Sequence, residues 1–287
     1  MTEHFEISSR LNILQRIIFR HGSISVYSTF GILIAIILLG MLAPILPLQD
    51  PIKPNPLSKL SPPSLEHFFG TDHNGMDVFS RTIFAIRTDF TLALSSVVLG
   101  VLIGVPLGAI SGYLGGWIDS TLTRISEVIQ GFPQILFGMA FIAATSNSLW
   151  NVVLVVAFYN IPVYSKMVRS IVVPLKEIDY VLAAKVAGNK SPRIIFFHIL
   201  PNALTPVFAQ LPLSCAYAVQ MIAGLSFLGL GVPIPMPEWG SMIQAGANYM
   251  VFGKWWLSIF PGFALFVSVW LLNMCSRMLQ SFWERRE

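Results

Sequence analysis

The stretch Asp179-Tyr-Val-Leu-Ala-Ala-Lys-Val-Ala-Gly188-Asn-Lys-Ser-Pro-Arg-Ile-Ile-Phe-Phe-His-Ile-Leu-Pro201 is a polar island between two apolar segments. Tyr180 to Ala187 is rich in alanine, the strongest helix former, so the composition predicts a helix there. Gly188 stands where that helix must stop, because glycine adopts the left-handed backbone of a helix end without steric cost. Ser191 then offers an N-cap oxygen, and Pro192 falls at the first helical position, where its missing N–H costs nothing. Pro201 closes the second helix or kinks it into the next apolar run. The expectation is two short helices meeting at a sharp corner, a compact knob shaped to be held by another protein.

The chain around the knob is written for lipid. Of 287 residues, 54% are hydrophobic and 11% charged, against about 25% charged in soluble domains. Six apolar runs reach spanning length: Val26–Leu46, Phe90–Ser111, Ile125–Ala144, Leu149–Ile171, Asn202–Leu230 and Trp255–Gln280. The fold class predicted is an all-α membrane protein with about six transmembrane helices. The chain divides into a leader (1–25), a first span (26–46), a linker with a short interfacial helix (47–89), a core of spans (90–280) containing the loop 176–201, and a tail (281–287). The first run is too long for a signal core, so no cleavable leader is expected. The leader itself has a partly helical apolar spacing at Leu11, Leu14, Ile17 and Ile18. The linker is proline-rich from Pro47 to Pro63 and cannot be a helix interior. Residues 79–89 are expected to form the interfacial helix.

Charge gives an orientation. With the N-terminus inside, three Lys or Arg fall in the leader, one near residue 124, six over 166–193 and three after residue 276, which leaves only five of the eighteen outside. The positive-inside rule therefore places both termini and the knob in the cytoplasm. The net charge of +4 is spread over these loops rather than gathered in one patch, which argues against nucleic acid as a partner.

The knob resembles the EAA loop of permease subunits of ATP-binding-cassette importers: Glu-Ala-Ala, three residues, Gly, a spacer, then Ile-x-Leu-Pro or a near variant. Ala183, Ala184, Gly188, Leu200 and Pro201 match at that spacing. Leu182 replaces the glutamate, and the nearest acid is Asp179. Phe69-Gly-Thr-Asp-His-Asn-Gly-Met-Asp-Val-Phe-Ser-Arg81 is similar to a segment of dipeptide, oligopeptide and nickel permeases, with Met76 where arginine is usual. Gly112-Tyr-Leu-Gly-Gly-Trp-Ile-Asp119, Phe132-Pro133, Leu225-Ser-Phe-Leu-Gly-Leu-Gly231 and Trp239-Gly240 follow in the family's order. Asn273-Met-Cys-Ser-Arg277 lacks the Gly-Asp pair often seen at the end. The resemblance covers roughly residues 28 to 280. It implies the type I importer permease fold and an inner-membrane location. It also implies a homologous permease partner (a heterodimer), two ATPase subunits that bind ATP and magnesium, and an external solute-binding protein. No cofactor is expected on this chain. ATPase-docking residues under this resemblance are Asp179, Ala183, Ala184, Lys185, Gly188, Arg193, Leu200 and Pro201. Short peptides are the substrate implied first, with nickel or a metal–chelator complex as the alternative.

Other features carry competing readings. Gly100, Gly104 and Gly108 form a small-residue face, either for ordinary close packing or for a sliding interface along the pathway. Pro133, Pro162, Pro206 and Pro212 interrupt helices at membrane depth, which is tolerated only against protein or water. Glu127, Gln130, Gln210 and Gln220 are polar residues within the spans and are candidates for the pathway, with Glu127 also readable as an interfacial carboxylate. His67, Asp72, His73 and Asp77 cluster in one loop, but turn chemistry at Thr71-Asp72 and Asn74-Gly75 accounts for them as well as a metal does. Cys215 and Cys275 read as small buried hydrophobes. The chain has no phosphate-binding Gly-x-x-x-x-Gly-Lys-[Ser/Thr] loop and no hydrolase or zinc-protease motif. An ion-gradient carrier would need inverted repeats and midplane ionisable groups, and a scaffold would have no need of broken, glycine-lined spans.

Overall fold

The computed structural model describes residues 27–283, and the leader and the last four residues of the tail lie outside that range. The first apolar run is a helix, α1 (Tyr27–Ile45). The segment after it is irregular but pinned. Leu60 N–H donates to the Asp72 carbonyl and Thr71 N–H to the Ser61 carbonyl, each at 3.0 Å. The polar loop residues are spent on this architecture. Asp72 Oδ1 accepts the Asn74 and Met76 N–H groups at 2.8 and 2.9 Å, and His67 Nδ1 lies 3.0 Å from Asp77 Oδ1. Among the described residues no three His, Cys, Asp or Glu side chains converge as a metal site.

Asp77 Oδ2 caps the Ser80 N–H at 2.8 Å and starts α2 (Val78–Leu114). Residues 79–89 are not a separate interfacial helix, as expected from the sequence, but the first turns of this 37-residue helix. No glycine or proline stands between Val78 and Phe90 to break it. At about 1.5 Å per residue α2 is longer than a hydrocarbon layer of roughly 30 Å.

The third run is likewise not one straight span. α3 (Gly116–Gly131) and α4 (Gln134–Ala144) meet at 89°. Pro133 excludes the helical conformation from the residue before it, and Phe132 is accordingly extended at ψ 138°. α5 (Leu149–Leu175) packs along α2 over its length. The glycine face of α2 makes this seam. A methyl group on Gly104 would stand 2.6 Å from the Ile161 carbonyl oxygen, and one on Gly100 or Gly108 would crowd Asn160 or Ser165 still more closely.

α6 (Asp179–Val186) follows, then a long helix α7 (Ser191–Phe227). The expected start of that span at Asn202 is therefore too late. α7 begins eleven residues earlier and runs through Pro201 by way of a wide π turn at Ile194–Ile199. Leu200 N–H reaches five residues back to the Ile195 carbonyl, the π pattern, and Pro201 with no N–H follows directly. α8 (Trp239–Met250) was not expected: the residues between the fifth and sixth spans carry a twelve-residue helix, N-capped by Glu238. α9 (Trp256–Trp283) closes the bundle against α7 and α8. Among the described residues, five helices are long and apolar enough to cross a membrane, or six if α3 and α4 together count as one.

Candidate functional site

The elbow is built from α6 and the base of α7. Gly188 adopts φ +81°, and Asn189 N–H returns to the Ala184 carbonyl at 3.2 Å, so the helix ends where the glycine predicts. The second start differs from expectation. Lys190, not Ser191, is the N-cap residue, with no side-chain bond, and Ser191 and Pro192 occupy the first turn. Proline supplies the missing-donor position, so the cap oxygen is dispensable there.

Val181 and Ala184 face inward and join Ile194, Ile195, Ile199 and Ala203 in the core. Asp179, Ala183, Lys185, Gly188, Arg193 and Pro201 lie on the exposed face, and Leu200 is half-buried. Leu182 is exposed as well, and Val186 is 89% exposed. The outward face of α6 is thus small and apolar where the family pattern would put a charge. Beneath it, Asn202 Nδ2 donates to the Tyr180 hydroxyl and to the His198 carbonyl, both at 3.0 Å. α6 is therefore fastened to α7 by polar bonds as well as by apolar packing. On the same side Arg169 Nη2 donates to Asp119 Oδ2 at 2.6 Å, with a second bond from Nε to Oδ1. This fork ties the start of α3 to the last two turns of α5, ten residues before α6 begins.

At membrane depth a cleft of about 330 Å³ opens between α4, α5 and α7. Its polar lining is Gln134, Tyr159, Asn160, Gln210, Ser214 and Tyr217, and its apolar lining Val156, Val163, Ala218 and Met221. No Asp, Glu, His, Lys or Arg is among them. Tyr164 donates to Ser214 Oγ at 2.9 Å across the α5–α7 junction. Tyr159 donates to the Phe132 carbonyl at 3.0 Å, so a cleft residue holds the α3–α4 bend.

Of the residues singled out from the sequence, Gln210 lines this cleft. Gln220 and Glu127 are exposed elsewhere, and Gln130 accepts a bond from Lys166 Nζ at 2.5 Å. Gly100, Gly104 and Gly108 lie in the α2–α5 seam and are not among the residues lining the cleft, although Gly100 packs against the Cβ of Asn160. Asn160, Tyr159, Ser214 and Gln134 were not singled out. Their one available signal was a hydrogen-bonding group inside an apolar run.

A model of the binding-protein-dependent transport system inner membrane component matches residues 104–287. The chain belongs to this family. The permease is 39% identical over 243 residues to the dipeptide transport system permease protein DppC of Alkalihalophilus pseudofirmus, covering 85% of this chain and 80% of that one. It is 36% identical over 212 residues to the glutathione transport system permease protein GsiD of Pectobacterium atrosepticum, covering 74% and 70%. An inward-facing structure of the MetNI methionine ABC transporter matches with TM-score 0.56 at 18% identity, covering 70% of the permease and 95% of that chain. That likeness shows a shared fold. The permease is a multi-pass inner-membrane transport subunit rather than an enzyme, and ATP is hydrolysed on separate subunits.

Proposed function

We propose that the permease carries short peptides across the membrane, driven by ATPase subunits that hold the elbow. The observation that carries the substrate class is the cleft, whose lining of amides and hydroxyls holds no ionised side chain. A peptide leaving water needs partners for its backbone N–H and C=O groups, since each one left unmet is costly. Gln134, Asn160 and Gln210 each present a donor and an acceptor, and Tyr159, Ser214 and Tyr217 add hydroxyls. A bare divalent cation would instead call for carboxylate, imidazole or thiolate ligands, so nickel is the weaker reading. The names of the peptide and glutathione permeases above support the same class.

The elbow supports the drive. It faces the cytoplasm under the positive-inside distribution, with both termini on that side. A pair of ATPase subunits would receive the exposed face of α6, and a homologous permease would complete the pathway opposite α4, α5 and α7. An external solute-binding protein would deliver the peptide to the opposite face. ATP must bind the outward-open arrangement more tightly than the inward-open one, because equal affinity would shift nothing. The Tyr180–Asn202–His198 joint and the packing of Val181 and Ala184 then carry the elbow's displacement into α7, one wall of the cleft.

The test is uptake by proteoliposomes containing the permease with its partner permease and ATPases, ATP inside and binding protein outside. Labelled di- and tripeptides should accumulate and nickel should not. Nickel accumulation without peptide uptake contradicts the substrate class, and peptide uptake that continues without ATP contradicts the drive.

A further inference from the structure

Asp89 on α2 and Glu238 at the start of α8 are both fully buried, and Trp239, which follows Glu238, bonds Asp89 across 150 residues of sequence. Glu238 spends its two oxygens on the Gly240 and Ser241 N–H groups, each at 2.7 Å. Asp89 Oδ2 accepts the Trp239 N–H at 3.2 Å. Three consecutive amides at the N-terminus of α8 therefore converge on two carboxyl groups. Asp89 Oδ1 has no donor, and among the described residues it is the one buried side-chain nitrogen or oxygen without a hydrogen-bond partner.

The Asp89 carboxyl accepts the amide of the residue that follows Glu238, so the two buried carboxyl groups are neighbours at the start of α8. Two ionised carboxylates are both acceptors and repel, so such neighbours can bond each other only when one of them carries a hydrogen. Counter-charge does not remove the difficulty. The ion pairs of the described residues are His67–Asp77, Arg81–Asp72 and Arg169–Asp119, and none reaches either group. A metal cation is disfavoured because three N–H donors and the positive end of a helix already face the site. Water is kept out by close packing: Trp239 is fully buried with Nε1 on the Thr82 carbonyl at 3.1 Å, and Gly240 lies tight against the Ala223 backbone.

We infer that Asp89 and Glu238 form a buried proton-binding site that holds a single proton, carried on Asp89 Oδ1, and so fastens the start of α8 to α2. Glu238, with both oxygens already accepting amides, is the ionised member. Asp89 as a carboxylic acid turns its orphan oxygen into a donor, and every polar atom of the pair is then met. Burial pushes the Glu238 carboxyl up from its ordinary range while the Gly240 and Ser241 amides hold it down, in keeping with a pair that carries one negative charge and not two. Loss of the proton would set two like charges in contact in a dry site and drive α8 from α2.

The test is infrared spectroscopy of the full-length permease within the assembled transporter in nanodiscs at neutral pH, with and without 13C-aspartate. The expected result is a protonated-carboxyl C=O band that shifts with the label and is lost in Asp89→Asn. Absence of any label-sensitive band in the unsubstituted protein overturns the inference, and that measurement needs no variant to fold. Thermal unfolding gives a second reading. Asp89→Asn, whose amide can donate to Glu238, should melt with the unsubstituted permease, and Asp89→Ala should melt lower. Asn and Ala variants melting equally low would mean the site needs a charge, which also overturns it. Neither readout depends on the transported solute.

Discussion

Asn202 on α7 donates to the Tyr180 hydroxyl on α6 at 3.0 Å, and the same side-chain amide reaches the His198 carbonyl at the base of α7, also at 3.0 Å. This makes the elbow a fastened joint rather than a loop resting on the bundle. Tyr180→Phe removes the acceptor and leaves the ring in place. A net hydrogen bond is worth about 1 kcal/mol, so peptide moved per ATP hydrolysed should fall by roughly fivefold while ATPase activity is retained. Parallel uptake and phosphate-release assays check this, and equal loss of both would place the residue in folding rather than coupling.

Gly188 sits at φ +81° with nothing within 4 Å of the position its Cβ would take. Backbone strain is thus the sole cost of a side chain in the free permease. Gly188→Ala should destabilise by about 1 kcal/mol, and Gly188→Asn by less, because asparagine enters the left-handed region more readily. Gly188→Asp should leave the free permease folded but uncouple ATP hydrolysis from uptake, since it puts a charge on the docking face. Normal transport by Gly188→Asp would remove this position from the coupling account.

The α2–α5 seam makes a sharper demand. Gly108→Ala must push α2 off the Ser165 backbone, and overpacking of this kind costs about 1–3 kcal/mol. Gly31→Ala on α1 is the control, with open space around it. Thermal unfolding in detergent should separate the two, and equal melting temperatures would contradict the close packing.

The elbow and most of the spans were legible in the sequence because their signals are local. Gly188 must end a helix, Pro133 must break one, and a twenty-residue apolar run needs no tertiary context to be read. The residues missed all depend on distant partners. Glu238 follows Pro233, Pro235 and Pro237 and reads as loop, yet it caps α8 at the turn whose Trp239 amide is bonded by Asp89 of another helix. Asp89 falls at the border of the span expected at Phe90, whereas α2 begins eleven residues before Asp89. Asn160, Tyr159 and Ser214 interrupt apolar runs singly, and only the packing of α5 against α7 decides that they share one cleft. Pro201 reads as a helix end or as a kink into the next span, and the helix runs on through it by way of the π turn before it.

The cleft carries its own prediction. Gln210→Glu places a charge among neutral amides and hydroxyls. Uptake of a zwitterionic dipeptide should slow, with ATP hydrolysis unchanged, whereas Gln210→Asn should retain most uptake. Equal rates for the Glu variant and the unsubstituted permease in the proteoliposome assay would show that the solute does not pass this wall.

The most direct measurement of the account concerns Val186, 89% exposed on the outward face of α6. Val186→Cys, in a background with Cys215 and Cys275 replaced, can be treated with a membrane-impermeant maleimide in inside-out vesicles, with and without the ATPase subunits. The account predicts rapid labelling of the permease alone and protection once the ATPases are bound. Labelling only from the opposite face of the membrane, or at the same rate whether or not the ATPases are present, would contradict it.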